Sequence, residues 1–217
     1  MKKIAAPEQG VTVFTRSFTD TLTQFGVDGP VCHVGSKQRN IAPDVIARKR
    51  ATGWSFLQNR EIIGVDIEDG ANVDLVADIC SPSLFTDHPG LCSHFGFVFC
   101  SALLEHVVNP FAAAQNIQKL LRLGGHLLFT GPWVWGHHSY PDDYWRISIS
   151  GVKVLFPEVE FMEWWYSGTL KDICIRIDDL TQERKVFVEQ VVLRKAGHYI
   201  TDRAMPYLNI SAIGVRQ

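Results

Sequence analysis

Short apolar runs alternate along the chain with longer segments whose apolar positions recur at helical spacing. Five of these runs predict strands, at residues 31–35, 61–66, 73–79, 95–100 and 126–131. Two further extended candidates lie nearer the carboxyl end, at residues 159–166 and 209–216. This alternation is typical of βαβ units, so we expect an α/β fold with a mostly parallel, seven-stranded sheet and helices on both of its faces.

The clearest helix follows the fourth strand, over residues 110–123. Asn109 is the expected N-cap and Gly124-Gly125 the expected stop. A second helix is predicted between the first two strands, within residues 41–59, whereas residues 187–193 fit a strand or a helix equally well. The apolar face expected for the first helix comprises Phe111, Ala114, Ile117, Leu120 and Leu121.

Length and composition indicate one domain over residues 1–217, because 217 residues with 46% hydrophobic side chains can build one sizeable core. Residues 168–207 are interpreted as an insertion or lid. With 21 basic and 23 acidic side chains, the chain has no electrostatic footprint for nucleic acid. No apolar run is long enough for a membrane span or a signal peptide, and the scattered cysteines indicate reduced thiols. We therefore expect a cytoplasmic protein.

The predicted strands end in residues suited to a nucleoside ligand. Gly35 ends the first strand, and its missing Cβ lets a ligand approach the backbone. Asp66 ends the second strand, where a carboxylate can accept hydrogen bonds from both ribose hydroxyls. Asp78 is expected to accept from an adenine amino group, while Ile67 and Ile79 cover the purine faces. The alternative for Asp78 is a solvated loop acid.

One long segment resembles a known family. Residues 95–146 (FGFVFCSALLEHVVNPFAAAQNIQKLLRLGGHLLFTGPWVWGHHSYPDDYWR) are similar to the class I S-adenosylmethionine-dependent methyltransferases, particularly their bacterial small-molecule branch. The similar features are a strand, a Leu-Glu-His turn, a helix, a Gly-Gly turn, a strand and a proline loop, in that order. The resemblance extends over about residues 31–156. It implies a single Rossmann-like domain with S-adenosyl-L-methionine as cofactor, and makes Ser101, Ala102 and Leu103 neighbours of that cofactor.

The loop after the first strand departs from the family pattern. Where an acid and a GxGxG motif are usual, this chain reads HVGSKQRN, so that only Gly35 remains and His33 replaces the acid. Some members resemble this Gly-Ser form, and His33, Gly35 and Ser36 are therefore expected to contact the cofactor. The same departure motivates an alternative, a methyltransferase-like binding or scaffold domain with a degenerate cofactor site. A nicotinamide dehydrogenase is disfavoured because its GxGxxG turn is missing.

The loop after the fifth strand, residues 131–146, is dense in aromatic, imidazole and acidic groups. His137 or His138 is the expected general base for a hydroxyl acceptor. Glu105 and His106 are a second choice, with helix capping and packing as the alternative role for them. Expected substrate contacts are Trp133, Tyr140, Asp143, Tyr144 and Arg146.

The residues of this loop also allow two different roles. Tyr144, Trp145 and Arg146 can pack the loop onto the domain, with the His and Asp side chains solvated. A divalent cation held by His137, His138, Asp142 and Asp143 would match no known spacing, so we expect no metal.

The resemblance thus implies methylation of oxygen, or else nitrogen, on a small polar acceptor such as a sugar or related metabolite. The expected partner is that small molecule, and a homodimer is left open.

Overall fold

The computed structural model describes residues 23–37, 60–138, 142–168, 174–177 and 208–217. In these residues eight strands form one sheet, in the order β3-β2-β1-β4-β5-β8-β6-β7. Strands β1 to β5 pair in parallel, whereas β8 runs antiparallel between β5 and β6, and β7 pairs antiparallel with β6. The strands are β1 (Val31–Val34), β2 (Ile62–Asp66), β3 (Leu75–Val76), β4 (Phe95–Ser101), β5 (Leu121–Val134), β6 (Val159–Gly168), β7 (Cys174–Arg176) and β8 (Leu208–Arg216).

The expected α/β sheet is confirmed, with one strand more than predicted. All seven predicted strands are present, and the eighth is the three-residue β7 at the sheet edge. Strand β7 lies within residues 168–207, the segment interpreted as an insertion or lid; apart from residues 168 and 174–177, that segment lies outside the described residues.

Strand β4 lies inside the parallel part, between β1 and β5, and is buried on both faces. Its side chains alternate, as the two-residue period of a strand requires. Val98 and Cys100 belong to the core on one face, and Phe97 and Phe99 to a smaller cluster on the other. A strand covered on both faces carries the continuous apolar run seen in its sequence.

Three helices occur in the described residues: α1 (Leu84–Asp87), α2 (Pro110–Leu120) and α3 (Ile149–Leu155). Helix α2 begins where the sequence predicts, because the Asn109 side chain accepts a hydrogen bond from the backbone N–H of Ala112 at 3.1 Å. Helix α3 was not predicted, although Ile149, Val152 and Leu155 are buried at helical spacing. None of the described helices has the length and apolarity of a membrane span.

Helix α2 ends three residues earlier than predicted. Leu121 already has the extended backbone of β5 and pairs with Phe95, so the predicted end at residue 123 is wrong. Gly124-Gly125 lies inside β5 rather than after the helix. Phe111, expected on the apolar face, is 61% exposed. In this part of α2, Ala113 and Ala114 are the buried side chains, and they pack on the sheet.

The third strand is also shorter than predicted. Residues 73–79 were expected to be extended, but only Leu75–Val76 is a strand, because β3 is an edge strand that pairs with β2 alone. The Asp78 side chain then accepts a hydrogen bond from the backbone N–H of Cys80 at 2.8 Å, which closes a turn. The predicted helix at residues 41–59 and the ambiguous residues 187–193 lie outside the described residues.

Candidate active site

A cavity of about 560 Å³ opens where β1, β2 and β4 end. Parallel strands end at one edge of a sheet, so the loops that follow them surround a common space. Seven of the ten residues predicted to contact the cofactor line this cavity: Gly35, Asp66, Ile67, Asp78, Ile79, Ala102 and Leu103. Of the residues predicted to contact the substrate, Tyr144 lines it as well.

Gly35 allows the chain to turn out of β1 beside the cavity. Its φ is +71°, a conformation that side chains with a Cβ rarely adopt. A Cβ at this position would lie 3.1 Å from Cδ1 of Leu103, which is itself on the cavity wall. The glycine therefore brings the loop after β1 close to the loop after β4.

The Asp66 carboxylate is held in place by backbone donors. Lys37 N–H donates to Oδ2 at 2.9 Å, and Glu68 N–H donates to Oδ1 at 3.1 Å. The Lys37 ammonium also pairs with the Glu68 carboxylate at 2.7 Å, which joins the loops after β1 and β2. Because a carboxylate oxygen can accept two hydrogen bonds, each oxygen of Asp66 can also accept one from a ligand hydroxyl.

The loop after β3 is anchored from helix α2. The buried Asn116 side chain donates to the backbone oxygens of Ile79 and Ser81, both at 2.8 Å. This fixes Ile79 in the core, whereas Asp78 is exposed at the cavity edge. Ile67, on the neighbouring loop, is 65% exposed and offers an apolar surface to a flat ligand.

Ala102 has a strained backbone on the cavity wall. Its φ of 50° is positive, which costs an alanine about 1–2 kcal/mol. The Ala102 N–H donates to the backbone oxygen of Thr130 at 2.9 Å, a bond that holds the conformation. Strain of this kind is found where a chain is bent to form a binding site.

Three predicted cofactor residues lie outside the cavity wall. The His33 ring packs 4.9 Å from the ring of Phe99, and its Nδ1 is 3.4 Å from the Asn72 amide. The Ser36 side chain is fully buried beside Gly64, and a Cβ added to Gly64 would lie 2.7 Å from the Ser36 Oγ. Ser101 is the last residue of β4 and pairs with Thr130.

Asp143 and Arg146, two of the predicted substrate contacts, fasten the loop after β5. Both guanidinium ends of Arg146 donate to the Asp143 carboxylate, at 2.5 and 2.6 Å, and Arg146 also donates to the backbone oxygen of Gly136 at 3.3 Å. Arg146 holds the pKa of Asp143 well below its usual range. This pair therefore agrees with the packing role expected of Arg146 in the alternative, whereas the Asp143 side chain is buried rather than solvated. Trp133 is half-buried against the core, and Tyr140 lies outside the described residues.

Of the two predicted general bases, His137 is exposed and His138 is half-buried; neither lines the cavity. The His138 ring packs edge-on against the His106 ring, with centroids 5.0 Å apart. His106 does line the cavity. The backbone reason is that Glu105 O accepts from Tyr144 N–H at 2.7 Å, which draws the loop after β5 onto the turn Leu104–His106.

Glu105 is a buried acid beside this imidazole pair. Only 2% of its surface is exposed, and its Oε1 lies 3.8 Å from Nε2 of His106. Burial, aided by the nearby Asp143 charge and opposed by Arg146, raises the pKa of Glu105 to about 7. The Glu105 side chain does not cap α2, so the capping alternative does not apply to it.

Comparisons with solved structures agree with this geometry. A SAM-dependent methyltransferase from Archaeoglobus fulgidus matches at 13% identity with a TM-score of 0.53, covering 94% of this chain and 93% of that one. A proposed sarcosine dimethylglycine methyltransferase from Galdieria sulphuraria matches at 10% identity with a TM-score of 0.53, covering 93% of this chain and 84% of that one. The chain has the class I methyltransferase fold.

A further match shows this methyltransferase fold with ligands present. It is a phosphoethanolamine N-methyltransferase of Haemonchus contortus in complex with phosphomonomethylethanolamine and S-adenosylhomocysteine, at 14% identity and a TM-score of 0.50. The alignment covers 95% of this chain and 54% of that one. No protein-family model and no curated protein sequence matches the chain.

The cavity has the size and lining of a small-molecule site. Its volume of about 560 Å³ is within the usual range for small-molecule sites, and it combines a carboxylate at the end of β2 with apolar walls. Sequence reasoning did not assign half of the lining to the site, namely Val34, Lys37, Val65, Glu68, Ala77, Cys80, Val107, Val108 and Asn109. Their common signal is position, since each lies within four residues of a predicted site residue or of the Leu-Glu-His turn.

Proposed function

We propose that this chain is an S-adenosylmethionine-dependent methyltransferase that acts on a small polar acceptor. The observation that carries the proposal is that Gly35, Asp66 and Asp78 share one cavity with Ala102 and Leu103. Carboxylates on two neighbouring loops fit the sugar and base of a nucleoside, and the loop after β4 fits its remaining part.

In this proposal each wall of the cavity has its own task. Asp66 binds the ribose hydroxyls, Asp78 the adenine amino group, and Ile67 and Ile79 pack on the purine. When bound, S-adenosylmethionine supplies a methyl group on a positively charged sulfur, which leaves as a neutral thioether. The acceptor then enters on the side of His106 and Tyr144, two residues of the wall that lie outside the loops after β2 and β3.

The acceptor side suggests methylation of oxygen, as on a sugar or related metabolite. A hydroxyl must lose its proton as its oxygen bonds to the methyl carbon, and His106 with His138 behind it can bring this about. Imidazoles do so either by taking up the proton themselves or by holding a metal ion that lowers the pKa of the hydroxyl. This replaces the pair His137 and His138 with the pair His106 and His138, because His137 is exposed.

Titration calorimetry with S-adenosylhomocysteine tests the cofactor step. We expect one site per chain, and absence of heat at high protein concentration would refute the proposal. Transfer of radiolabelled methyl groups to a panel of sugars, hydroxy acids and small amines would then identify the acceptor. Sugar methylation is wrong if amines alone are labelled.

The second candidate is a methyltransferase-like binding or scaffold domain. It is favoured by the loop after β1, where Ser36 turns its side chain into the protein rather than toward the cavity. Protein purified with endogenous cofactor still bound would argue against it, whereas failure to bind S-adenosylhomocysteine by a folded chain would favour it.

A further inference from the structure

Three side chains meet at the inner end of the acceptor side: Glu105 and His106 from the turn after β4, and His138 from the loop after β5. One metal-binding atom of each lies within 4.8 Å of those of the other two. We propose that Glu105, His106 and His138 form a site for one divalent transition-metal ion, with Zn²⁺ as the probe. Its binding stands on these contacts alone, whereas its role in methyl transfer rests on the proposed function.

Both imidazoles are oriented as metal-bound imidazoles usually are. Nδ1 of His106 lies 2.6 Å from the backbone oxygen of Asp142. Nδ1 of His138 lies 3.3 Å from Oδ2 of Asp143 and 3.3 Å from the backbone oxygen of Gly136. These neighbours are all acceptors, so each ring carries its proton on Nδ1. Nε2 of each ring therefore keeps the lone pair that a metal ion requires, and its outer partners fix the ring orientation.

The third side chain supplies the negative charge. Among the residues that the structure describes, Oε2 of Glu105 has no hydrogen-bond partner, although only 2% of the side chain is exposed. Burial of an unpaired carboxylate is unfavourable unless a cation offsets its charge. The cation nearby is Arg146, but both of its guanidinium ends are bound to Asp143. The charges of Asp143 and Arg146 thus balance, and the Glu105 carboxylate is the charge that an ion would neutralise.

The spacing suits a first-row transition metal. Zn²⁺ binds nitrogen and carboxylate oxygen at about 2.0–2.2 Å in a tetrahedral arrangement, so two ligand atoms on one ion lie about 3.3–3.5 Å apart. Oε1 of Glu105 and Nε2 of His106 are already 3.8 Å apart. The ligand atom of the half-buried His138 lies within 4.8 Å of the other two, so a small further approach completes the site. Two imidazoles and one carboxylate form a ligand set of catalytic zinc, which keeps a fourth position open.

The open position gives the ion a role in the reaction. His106 lines the cavity, so an acceptor there can reach the ion from that side. A hydroxyl bound to the ion has a lower pKa and loses its proton to solvent. Its oxygen lone pair then forms the bond to the methyl carbon, while the electrons of the broken carbon–sulfur bond stay on sulfur. The proposal therefore favours an oxygen acceptor able to bind a metal.

The test uses the full untagged chain, stripped with a chelator and titrated with Zn²⁺ in a calorimeter. We expect one equivalent per chain for the wild type and for His137→Gln, which changes an exposed imidazole next to the site. Glu105→Gln and His138→Gln, which preserve size, should weaken Zn²⁺ binding at least 100-fold. With Co²⁺, the wild type should show the visible absorption of a four- or five-coordinate ion, and His106→Gln should lose it.

Three results would overturn the proposal: no Zn²⁺ bound by the wild type, binding unaffected by the three substitutions, or binding lost with His137→Gln. Circular dichroism shows which variants are folded, and if Glu105→Gln is not, the two histidine variants decide. S-adenosylhomocysteine is titrated into the same metal-free protein. If the protein binds S-adenosylhomocysteine but not Zn²⁺, the metal site alone is refuted. If it binds Zn²⁺ but not S-adenosylhomocysteine, the proposed function is refuted.

Discussion

At the scale of single residues, the two ends of the cavity depend on different kinds of contact. Asp66 is positioned by backbone N–H groups, which need only the right turn after β2 and the loop after β1. Glu105, His106 and His138 are positioned by side chains and loops that are distant in the chain. A strand followed by an acid in the sequence is enough to predict the backbone contacts of Asp66. No comparable sequence pattern predicts the long-range contacts of the other three residues.

Replacing Asp66 should weaken cofactor binding selectively. Asp66→Asn keeps the size but turns one acceptor into a donor, which would face the N–H of Lys37 or Glu68 or the ribose hydroxyls. We expect affinity for S-adenosylhomocysteine to fall about 10-fold or more, since a hydrogen bond to a charged group contributes about 1.5–3 kcal/mol. Calorimetry measures this. Asp69→Asn, an exposed acid outside the cavity wall, is the control, and equal losses in both variants would contradict the assignment.

Adding one methyl group at Gly35 should lower both the stability of the fold and the affinity for the cofactor product. Gly35→Ala places a Cβ on a backbone with φ of +71° and 3.1 Å from Leu103 Cδ1. We expect the free energy of unfolding in urea to fall by about 1–2 kcal/mol, together with weaker binding of S-adenosylhomocysteine. Gly90→Ala adds its Cβ in open space and should change stability by less than about 0.5 kcal/mol. A Gly35→Ala variant as stable as the wild type would show that this turn is relaxed.

At the scale of elements, helix α2 supports the cavity through its buried face. The N-cap at Asn109 and the burial of Ile117 and Leu120 follow from the sequence pattern. Asn116 is a polar residue within that face, and its two hydrogen bonds to the loop after β3 give it a purpose that apolar periodicity does not reveal.

Asn116→Ala should therefore loosen the adenine side of the cavity from a distance. The substitution leaves the backbone oxygens of Ile79 and Ser81 without these donors, at a cost of about 1–3 kcal/mol each if both stay buried. We expect lower stability in urea together with weaker binding of adenosine. Gln115→Ala, on the exposed face of the same helix, is the matched control. If adenosine binds equally to both variants, the loop after β3 does not depend on this anchor.

At the scale of the whole molecule, the cavity lies between loops from separate parts of the chain, so a ligand that binds there should stabilise the entire fold. At 100 times its dissociation constant, S-adenosylhomocysteine should contribute about 2.7 kcal/mol. For a chain of 217 residues this corresponds to a rise in the unfolding midpoint of roughly 5–11 °C. Thermal unfolding followed by circular dichroism measures the rise. An equal rise for Asp66→Asn at the same ligand concentration would place the ligand elsewhere.

By itself, the sequence determined the parallel strands and the polar residues at their ends. The pattern of apolar side chains along a strand shows which of its faces are buried, and the residue that follows a parallel strand lies at the carboxyl edge of the sheet. Tertiary structure decided the exposure of Phe111, the end of α2 at Leu120 and the burial of Ser36. It also decided that His138 meets Glu105 and His106, which are more than 30 residues away in the chain. That meeting depends on the hydrogen bond from Tyr144 N–H to Glu105 O, which draws the loop after β5 onto the turn after β4, and no local periodicity carries such information.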